Sequence, residues 1–137
     1  MKKTVLREYA KLIARVGAGI VKGDEAIIRA QLDQPEFIYM LVDECYKAGA
    51  KKVDVEWSYQ PLAKLHVRHR SVKTLSTFEK WECEKLENRV NKLPAMIYIE
   101  SEDPDGLKGM NQAKQAKGEQ AKFKIFKPYR DRMENKY

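Results

Sequence analysis

The segment EAIIRAQLDQPEFIYMLVDECYKAGAKKVDVEW, residues 25–57, decides the fold, because it predicts a strand, a helix and a second strand. Residues 26–30 are a short β-branched run that favours a strand. Pro35 has the backbone angle that a first helical turn requires, and Gly49 stands where a left-handed residue ends many helices. Residues 52–57 then form the second strand. Two strands joined by a helix run parallel with a right-handed crossover, so this unit predicts an α/β architecture.

The helix in this unit has one apolar face at three- and four-residue spacing. That face consists of Phe37, Met40, Leu41, Cys45 and Ala48. A second long helix is predicted from a Ser76–Glu79 capping box to about Leu93. Its buried side should consist of Phe78, Leu86, Val90 and Leu93. A third strand, residues 95–100, follows it. The alternation predicts a three-layer, mostly parallel sheet flanked by helices, Rossmann-like but without a dinucleotide fingerprint.

The two ends of the chain are predicted to be helical as well. An apolar stripe near the amino terminus consists of Val5, Tyr9, Leu12, Ile13 and Val16. Residues 111–122 favour a helix by propensity but hold few large apolar side chains, so that helix should be mostly exposed. Lys127-Pro128 should separate it from a last helix around residues 129–137. We treat residues 1–137 as one domain.

The net charge of +7 is unevenly placed along the 137 residues, because residues 107–137 carry +6 of it. The amino terminus is basic, but Arg7, Glu8 and Lys11 interrupt any apolar run after it. Neither a signal peptide nor a membrane span is therefore predicted. We expect a cytoplasmic protein.

Four carboxylates surround a turn after the third predicted strand, where open α/β sheets place their ligands. They are Glu100, Glu102, Asp103 and Asp105. Such a group could hold a hard cation such as magnesium. The alternative is a surface turn with solvated acids, and we favour it because the ligand spacing of an EF-hand is absent.

His66 and His69 have the two-residue gap that can serve zinc. A closed zinc site needs four ligands, and the sequence offers no second Cys or His pair, since Cys45 and Cys83 are lone residues. A basic segment on the surface, or one that packs on a further domain, is the favoured interpretation. Cys45 lies on an apolar helix face and is expected to be a small buried hydrophobe.

Gly17-Ala18-Gly19 resembles half of a dinucleotide fingerprint, but it precedes the first strand instead of following it. The loop after that strand, residues 31–34, has no glycine to admit a phosphate. Neither a Ser-His-Asp nor a Cys-His arrangement can be argued from the spacing. The sequence therefore predicts no catalytic, cofactor-binding or metal-binding residue in this chain.

The basic segment 107–137 is interleaved with aromatic residues, as nucleic-acid-binding segments often are. These aromatics are Phe123, Phe126, Tyr129 and Tyr137. The alternative, a solvated helix face with buried aromatics, is favoured. A stand-alone basic binding module for nucleic acid or a protein partner is nevertheless the second hypothesis for function.

Several segments resemble the thermophilic metallo-aminopeptidase family of the aminopeptidase T type. They are Gly23 before the first strand, ECYKAGAKKV at 44–53, AMIYIESEDPDGLKG at 95–109, KPY at 127–129 and MEN at 133–135. The resemblance covers residues 6–137, about the whole chain. Gln31-Leu32 departs from it, because family members usually carry a proline followed by an apolar residue there.

The resemblance implies that the chain is the amino-terminal domain of a longer enzyme that removes amino-terminal residues from peptides. It places two divalent metals, zinc, cobalt or similar, in a carboxy-terminal domain, and so no catalytic residue in these 137 residues. The chain alone is then inactive, a scaffold and one wall of the substrate cavity. The implied partners are peptide substrates and a second subunit in a homodimer. Nucleic acid is not the favoured partner, and the sequence predicts no membrane partner.

Overall fold

The computed structural model describes residues 2–100 and 108–136. Its elements, in chain order, are α1 (Lys3–Leu12), β1 (Glu25–Gln31), α2 (Pro35–Lys47), β2 (Lys52–Ser58), α3 (Leu62–His69), α4 (Val72–Leu75), α5 (Lys80–Lys92), β3 (Ala95–Ile99) and α6 (Gln112–Lys136). A π turn, Ile13–Gly17, extends α1. The described residues form two compact units. The first lies within Met1–Tyr59 and Pro94–Glu102, and the second within Gln60–Leu93 and Asp103–Tyr137.

The first unit contains a parallel three-stranded sheet in the order β2-β1-β3. In this register Ile28 lies between Val55 and Ile97. The three predicted strands and their parallel pairing are confirmed, as is the α/β class with helices flanking the sheet.

The core of the first unit lies between one face of the sheet and α2, and α1 packs against α2. Ile28, Ile38 and Leu41 are its largest fully buried aliphatic side chains. Large apolar side chains gain about 1.5–3 kcal/mol each when fully buried, so this contact stabilises the crossover. The predicted apolar face of α2 is confirmed, with Ala48 only half-buried.

Both predicted end signals of α2 are confirmed. Pro35 occupies the first turn of the helix. Gly49 follows its end with φ of 117°, a left-handed conformation that only glycine adopts without strain. A Cβ on Gly49 would also lie 2.7 Å from Cα of Lys22, so the turn needs glycine for space as well.

The predicted apolar stripe of α1 faces solvent for most of its length. The side chains that α1 and the π turn bury completely are Ala10 and Ala14. Small side chains let the two helix backbones approach closely, whereas Tyr9 and Leu12 are more than half exposed.

The opposite face of the sheet carries polar and aromatic side chains. Arg29 lies between Glu56 and Tyr98 in the register. Its Nε is 3.6 Å from Oε1 of Glu56, and its guanidinium carbon lies 5.8 Å from the centre of the Tyr98 ring.

The second unit consists of helices, and its long helix α5 begins later than predicted. Glu79 is the N-cap and forms a capping box with Glu82. The predicted box at Ser76–Glu79 is wrong, because Ser76 ends α4, where its hydroxyl donates a hydrogen bond to the carbonyl oxygen of Val72 at 2.6 Å.

The predicted break at Lys127-Pro128 is also wrong, because α6 continues through Pro128. Proline removes one helical hydrogen bond, a cost that tertiary contacts can offset. Two such contacts hold α6 on either side of the proline. Gly118 lies against Leu75 of α4, and Arg132 forms two hydrogen bonds, of 2.7 and 2.9 Å, with the carboxylate of Glu87 on α5.

Candidate functional site at the carboxyl end of the sheet

The strand order creates a switch point at the carboxyl end of the sheet. The chain passes from β1 to β2 on one side and then returns to β3 on the other side of β1. Ligands of open α/β sheets bind outside the carboxyl ends of the strands at such a point. The candidate site is therefore the set of residues that follow the strands.

The ends of β1 and β2 are joined by two hydrogen bonds. Gln31 donates from its amide to the hydroxyl oxygen of Ser58 at 2.8 Å. The backbone N–H of Leu32 donates to the carbonyl oxygen of Ser58 at 3.1 Å. These bonds fix the positions of the residues that follow each strand.

Three large side chains at this end are about half exposed: Leu32, Trp57 and Tyr59. We call them the apolar shelf. These side chains offer aromatic and aliphatic surface that can bind an apolar group, but they supply no nucleophile paired with a base. We predicted no apolar surface here from the sequence, although the Trp57-Ser58-Tyr59 run at the carboxyl end of β2 is a visible signal.

The predicted acidic group falls largely outside the described residues. Glu100 follows β3 and is exposed. Glu102, Asp103 and Asp105 lie in 101–107, outside the described residues, so the choice between a cation site and a solvated turn stays open.

The other candidate residues are spread over different elements. His66 is half-buried and His69 is exposed, and both lie in the last turn of α3. Gly17 to Gly19 end the π turn before β1. Within 2–100 and 108–136, no three His, Cys, Asp or Glu side chains come together as a metal-holding group.

Cys45 is fully buried in the core, as predicted. Burial, and secondarily the charge of Glu44, raise the pKa of its thiol to about 11. It is therefore protonated and unreactive at neutral pH. Cys83 is half-buried on α5, and both cysteines are free thiols.

The positive charge belongs to the second unit rather than to the last segment alone. By sequence the second unit has a net charge of +8, from 17 Lys or Arg and 9 Asp or Glu, and the first has −1. Part of that charge is engaged within α6. Nζ of Lys127 lies 2.7 Å from Asp131, whose pKa it lowers, and Arg130 lies 4.9 Å from the centre of the Phe123 ring.

No helix among the described residues is long and apolar enough to cross a membrane.

Residues 2–137 match the thermophilic metalloprotease (M29) family. The chain belongs to this family. Over 125 residues it is 30% identical to aminopeptidase AmpS of Bacillus subtilis (strain 168), covering 91% of this chain and 30% of that protein. Over 126 residues it is 26% identical to aminopeptidase T of Thermus thermophilus, covering 92% and 31% respectively. The expected resemblance is confirmed.

The structure of wild-type AmpT from Thermus thermophilus superposes on this chain with a TM-score of 0.83 at 25% identity. The match covers 96% of this chain and 33% of that one. The M29 chain thus spans about a third of the length of the relatives it matches.

Membership of a metalloprotease family implies metal ions. The described residues do not fit one, since they bring no three suitable donors together. No metal chemistry can therefore be assigned to them. That the metal ligands lie in another part of a longer protein stays a prediction.

Proposed function

We propose that this chain is the amino-terminal domain of a metal-dependent aminopeptidase that removes amino-terminal residues from peptides. The domain is a scaffold and one wall of the substrate cavity and is not itself catalytic. Two divalent metals, zinc, cobalt or similar, belong to the remaining part of the enzyme. A cytoplasmic location and a homodimer complete the proposal.

The family match over residues 2–137 carries this proposal. The named relatives are aminopeptidases about three times as long as the chain, which leaves ample room for a separate catalytic domain. The donor chemistry of the described residues points the same way, because they offer no metal-holding group.

We assign the cavity wall to the apolar shelf at the carboxyl end of the sheet. Leu32, Trp57 and Tyr59 would contact the apolar side chains of a peptide substrate, and the Gln31–Ser58 hydrogen bond would hold the shelf in place. Substrate contact at this end agrees with the general behaviour of open α/β sheets.

A domain exchange tests the proposal. The matching third of Bacillus subtilis aminopeptidase AmpS is replaced by this chain, and hydrolysis of aminoacyl p-nitroanilides is measured. We expect activity that a chelator abolishes and a divalent metal restores. The same exchange carrying Ile28→Asp, which places a charge in the fully buried core, is the inactive control. A folded exchange protein without activity would count against the proposal.

The apolar shelf has its own matched pair of variants in the exchange protein. Trp57→Ala should lower kcat/KM about tenfold for substrates with a large apolar side chain, since it removes stacking surface. Trp81→Ala makes the same change at an exposed tryptophan of the second unit and should leave kcat/KM unchanged. Equal effects of the two variants would contradict the assignment of the shelf.

The isolated 137-residue chain provides the complementary test. We expect no turnover with cobalt or zinc supplied, because the described residues hold no metal group. Turnover by the purified chain that a chelator abolishes would show that the chemistry lies in this chain after all.

A further inference from the structure

One stretch of the second unit carries positive charge without any acidic residue. Between Glu56 and Glu79 the sequence contains four Lys or Arg residues and both histidines of the chain, but no Asp or Glu. Its four cationic residues lie on α3, on α4 or between them: Lys64, Arg68, Arg70 and Lys73. Three of these side chains are exposed, and that of Lys64 is half-buried. The positive charge of this stretch therefore reaches the surface without an acid nearby in the sequence.

The packing of α6 on α4 adds two lysines beside this stretch. Gly118 of α6 lies against Leu75 of α4. Lys114 and Lys122 stand one turn before and one turn after Gly118, so they share the side of α6 that faces α4. Nζ of Lys122 lies 5.5 Å from the centre of the Phe78 ring, in the connection between α4 and α5. We call the following six side chains the basic patch: Lys64, Arg68, Arg70, Lys73, Lys114 and Lys122.

The cations of the basic patch differ from those at the end of α6 in having no acidic partner. Lys127 lies 2.7 Å from Asp131, and Arg132 lies 2.7 Å from Glu87. Among the described residues, no member of the basic patch makes an ion pair. The segment 107–137, in which the sequence suggested a basic binding surface, thus neutralises part of its own charge. The charge of the basic patch remains available to an anion from outside the chain.

An extended polyanion matches the basic patch better than a small anion does. The six cations are spread over α3, α4 and α6, so a single phosphate can contact only a few of them. A nucleic-acid duplex carries one negative charge for about every 1.7 Å of its axis, so many weak phosphate contacts add up to a measurable affinity. Arg68 and Arg70 also have planar guanidinium groups, which bind phosphate oxygens through two parallel hydrogen bonds.

We propose that the basic patch binds the phosphate backbone of double-stranded nucleic acid without reading its base sequence. Residues 60–77 contain no aromatic side chain, so this stretch offers no stacking surface for the unpaired bases of a single strand. Contacts to phosphates fix a protein on the duplex but carry no sequence information. Binding should therefore favour a duplex over a single strand and depend steeply on salt. This activity rests on the second unit and is separate from the proposed role in peptide hydrolysis.

Fluorescence anisotropy of a labelled DNA duplex of about 20 base pairs, titrated with the purified 137-residue chain, tests the proposal without any peptidase assay. We expect a Kd of about 1 μM near 50 mM salt. Six phosphate contacts predict a slope of about −5 for the logarithm of the association constant against that of the salt concentration, so affinity should fall roughly two-hundredfold between 50 and 150 mM. No binding near 50 mM salt, or equally tight binding of a single strand of the same length, overturns the proposal.

Removal of charge from the basic patch locates the contact. Arg68→Gln combined with Arg70→Gln removes two exposed cations, so it should reduce the magnitude of the salt slope by about 2 and raise Kd about tenfold near 50 mM salt. Lys64→Gln combined with Lys73→Gln should have the same effect. The two pairs of changes are independent, so the result does not depend on the folding of one variant, which circular dichroism checks.

Two controls separate the basic patch from charge in general. Arg15→Gln combined with Arg29→Gln removes the same charge from exposed arginines of the first unit and should leave the slope and Kd unchanged. Polyglutamate with the same total charge as the duplex should displace it poorly, because its charges are spaced about 3.5 Å apart along an extended chain. If the control variant weakened binding as much as the patch variants, or if polyglutamate displaced the duplex as well as unlabelled duplex does, the proposal would be wrong.

Discussion

Gly118→Ala sets helix propensity against packing. Alanine is about 1 kcal/mol better than glycine in a helix interior, so propensity alone predicts a more stable protein. The new Cβ would lie 2.7 Å from Cβ of Leu75 and 3.3 Å from its carbonyl oxygen. Carbon atoms in contact normally lie 3.5–4.0 Å apart, so α4 and α6 would have to separate by roughly 1 Å.

The packing cost should exceed the propensity gain. Overpacking of a close contact costs about 1–3 kcal/mol, and the flexible end of the Leu75 side chain cannot relieve it because the clash is with its Cβ and backbone. We expect Gly118→Ala to lower the free energy of unfolding of the second unit by about 1 kcal/mol net.

Urea denaturation followed by tryptophan fluorescence measures this change. The chain has one tryptophan in each unit, Trp57 and Trp81, so a Trp57→Phe background reports on the second unit alone. Ala116→Gly, at an exposed position of α6, should lower the free energy of unfolding by about 1 kcal/mol. This control measures the propensity difference between alanine and glycine in the same helix. If Gly118→Ala stabilised the second unit by about 1 kcal/mol, the close approach of α4 and α6 would be refuted.

Three further experiments probe individual side chains. Leu41→Ala should cost about 2–5 kcal/mol in urea denaturation because the side chain is fully buried, and a loss below about 1 kcal/mol would mean that α2 buries another face. Ellman's reagent should modify Cys83 in the native protein but Cys45 only after unfolding. Mass spectrometry identifies the modified cysteine, and modification of Cys45 before Cys83 would contradict the burial of Cys45. Hydrogen bonds and charge from Lys47 and Arg7 lower the pKa of Asp43 from its ordinary value of 3.8. The ionised carboxylate of Asp43 therefore stabilises the folded state above that pH, and this stabilisation is lost as pH falls through the lowered pKa. The difference in unfolding free energy between wild type and Asp43→Asn should therefore be constant above about pH 5 and shrink on further acidification; a difference that grew in acid would contradict this.

The first unit could be predicted where its signals are local. Pro35 and Gly49 fix the two ends of α2 through their own backbone preferences, and both positions are as expected. The tertiary packing of the first unit is compatible with both helix ends, so it does not shift them. Gly49 satisfies both the local backbone conformation and the tertiary packing, since its missing side chain admits the backbone of Lys22.

The start of α5 could not be predicted because two cap signals compete. The Ser76–Glu79 pattern and the Glu79–Glu82 pair both offer reciprocal side-chain caps, and serine is usually the better first residue. The short helix α4 decides the outcome. Ser71 caps it by accepting a hydrogen bond from the N–H of Thr74, and that helix already uses Ser76 at its end.

Tertiary contacts also determine which face α1 buries and whether α6 continues through Pro128. The apolar spacing identified a stripe in α1. It did not identify Ala10 and Ala14 as the face against α2, because close helix packing favours small side chains, which have a low rank in hydropathy. Pro128 signals a break in isolation. The Arg132–Glu87 contact, four residues later, holds α6 to α5 and offsets the lost hydrogen bond.

The candidate site depends on strand register, which the sequence leaves open. Each residue of β1 faces the residue 27 positions later in β2, so Gln31 meets Ser58. A shift of two positions would keep every apolar side chain on the same face of the sheet, and the alternation alone cannot distinguish these registers. Such a two-residue shift would also separate Gln31 from Ser58 and move Trp57 relative to Leu32. The apolar shelf therefore follows from the one register in which the ends of β1 and β2 form their hydrogen bonds.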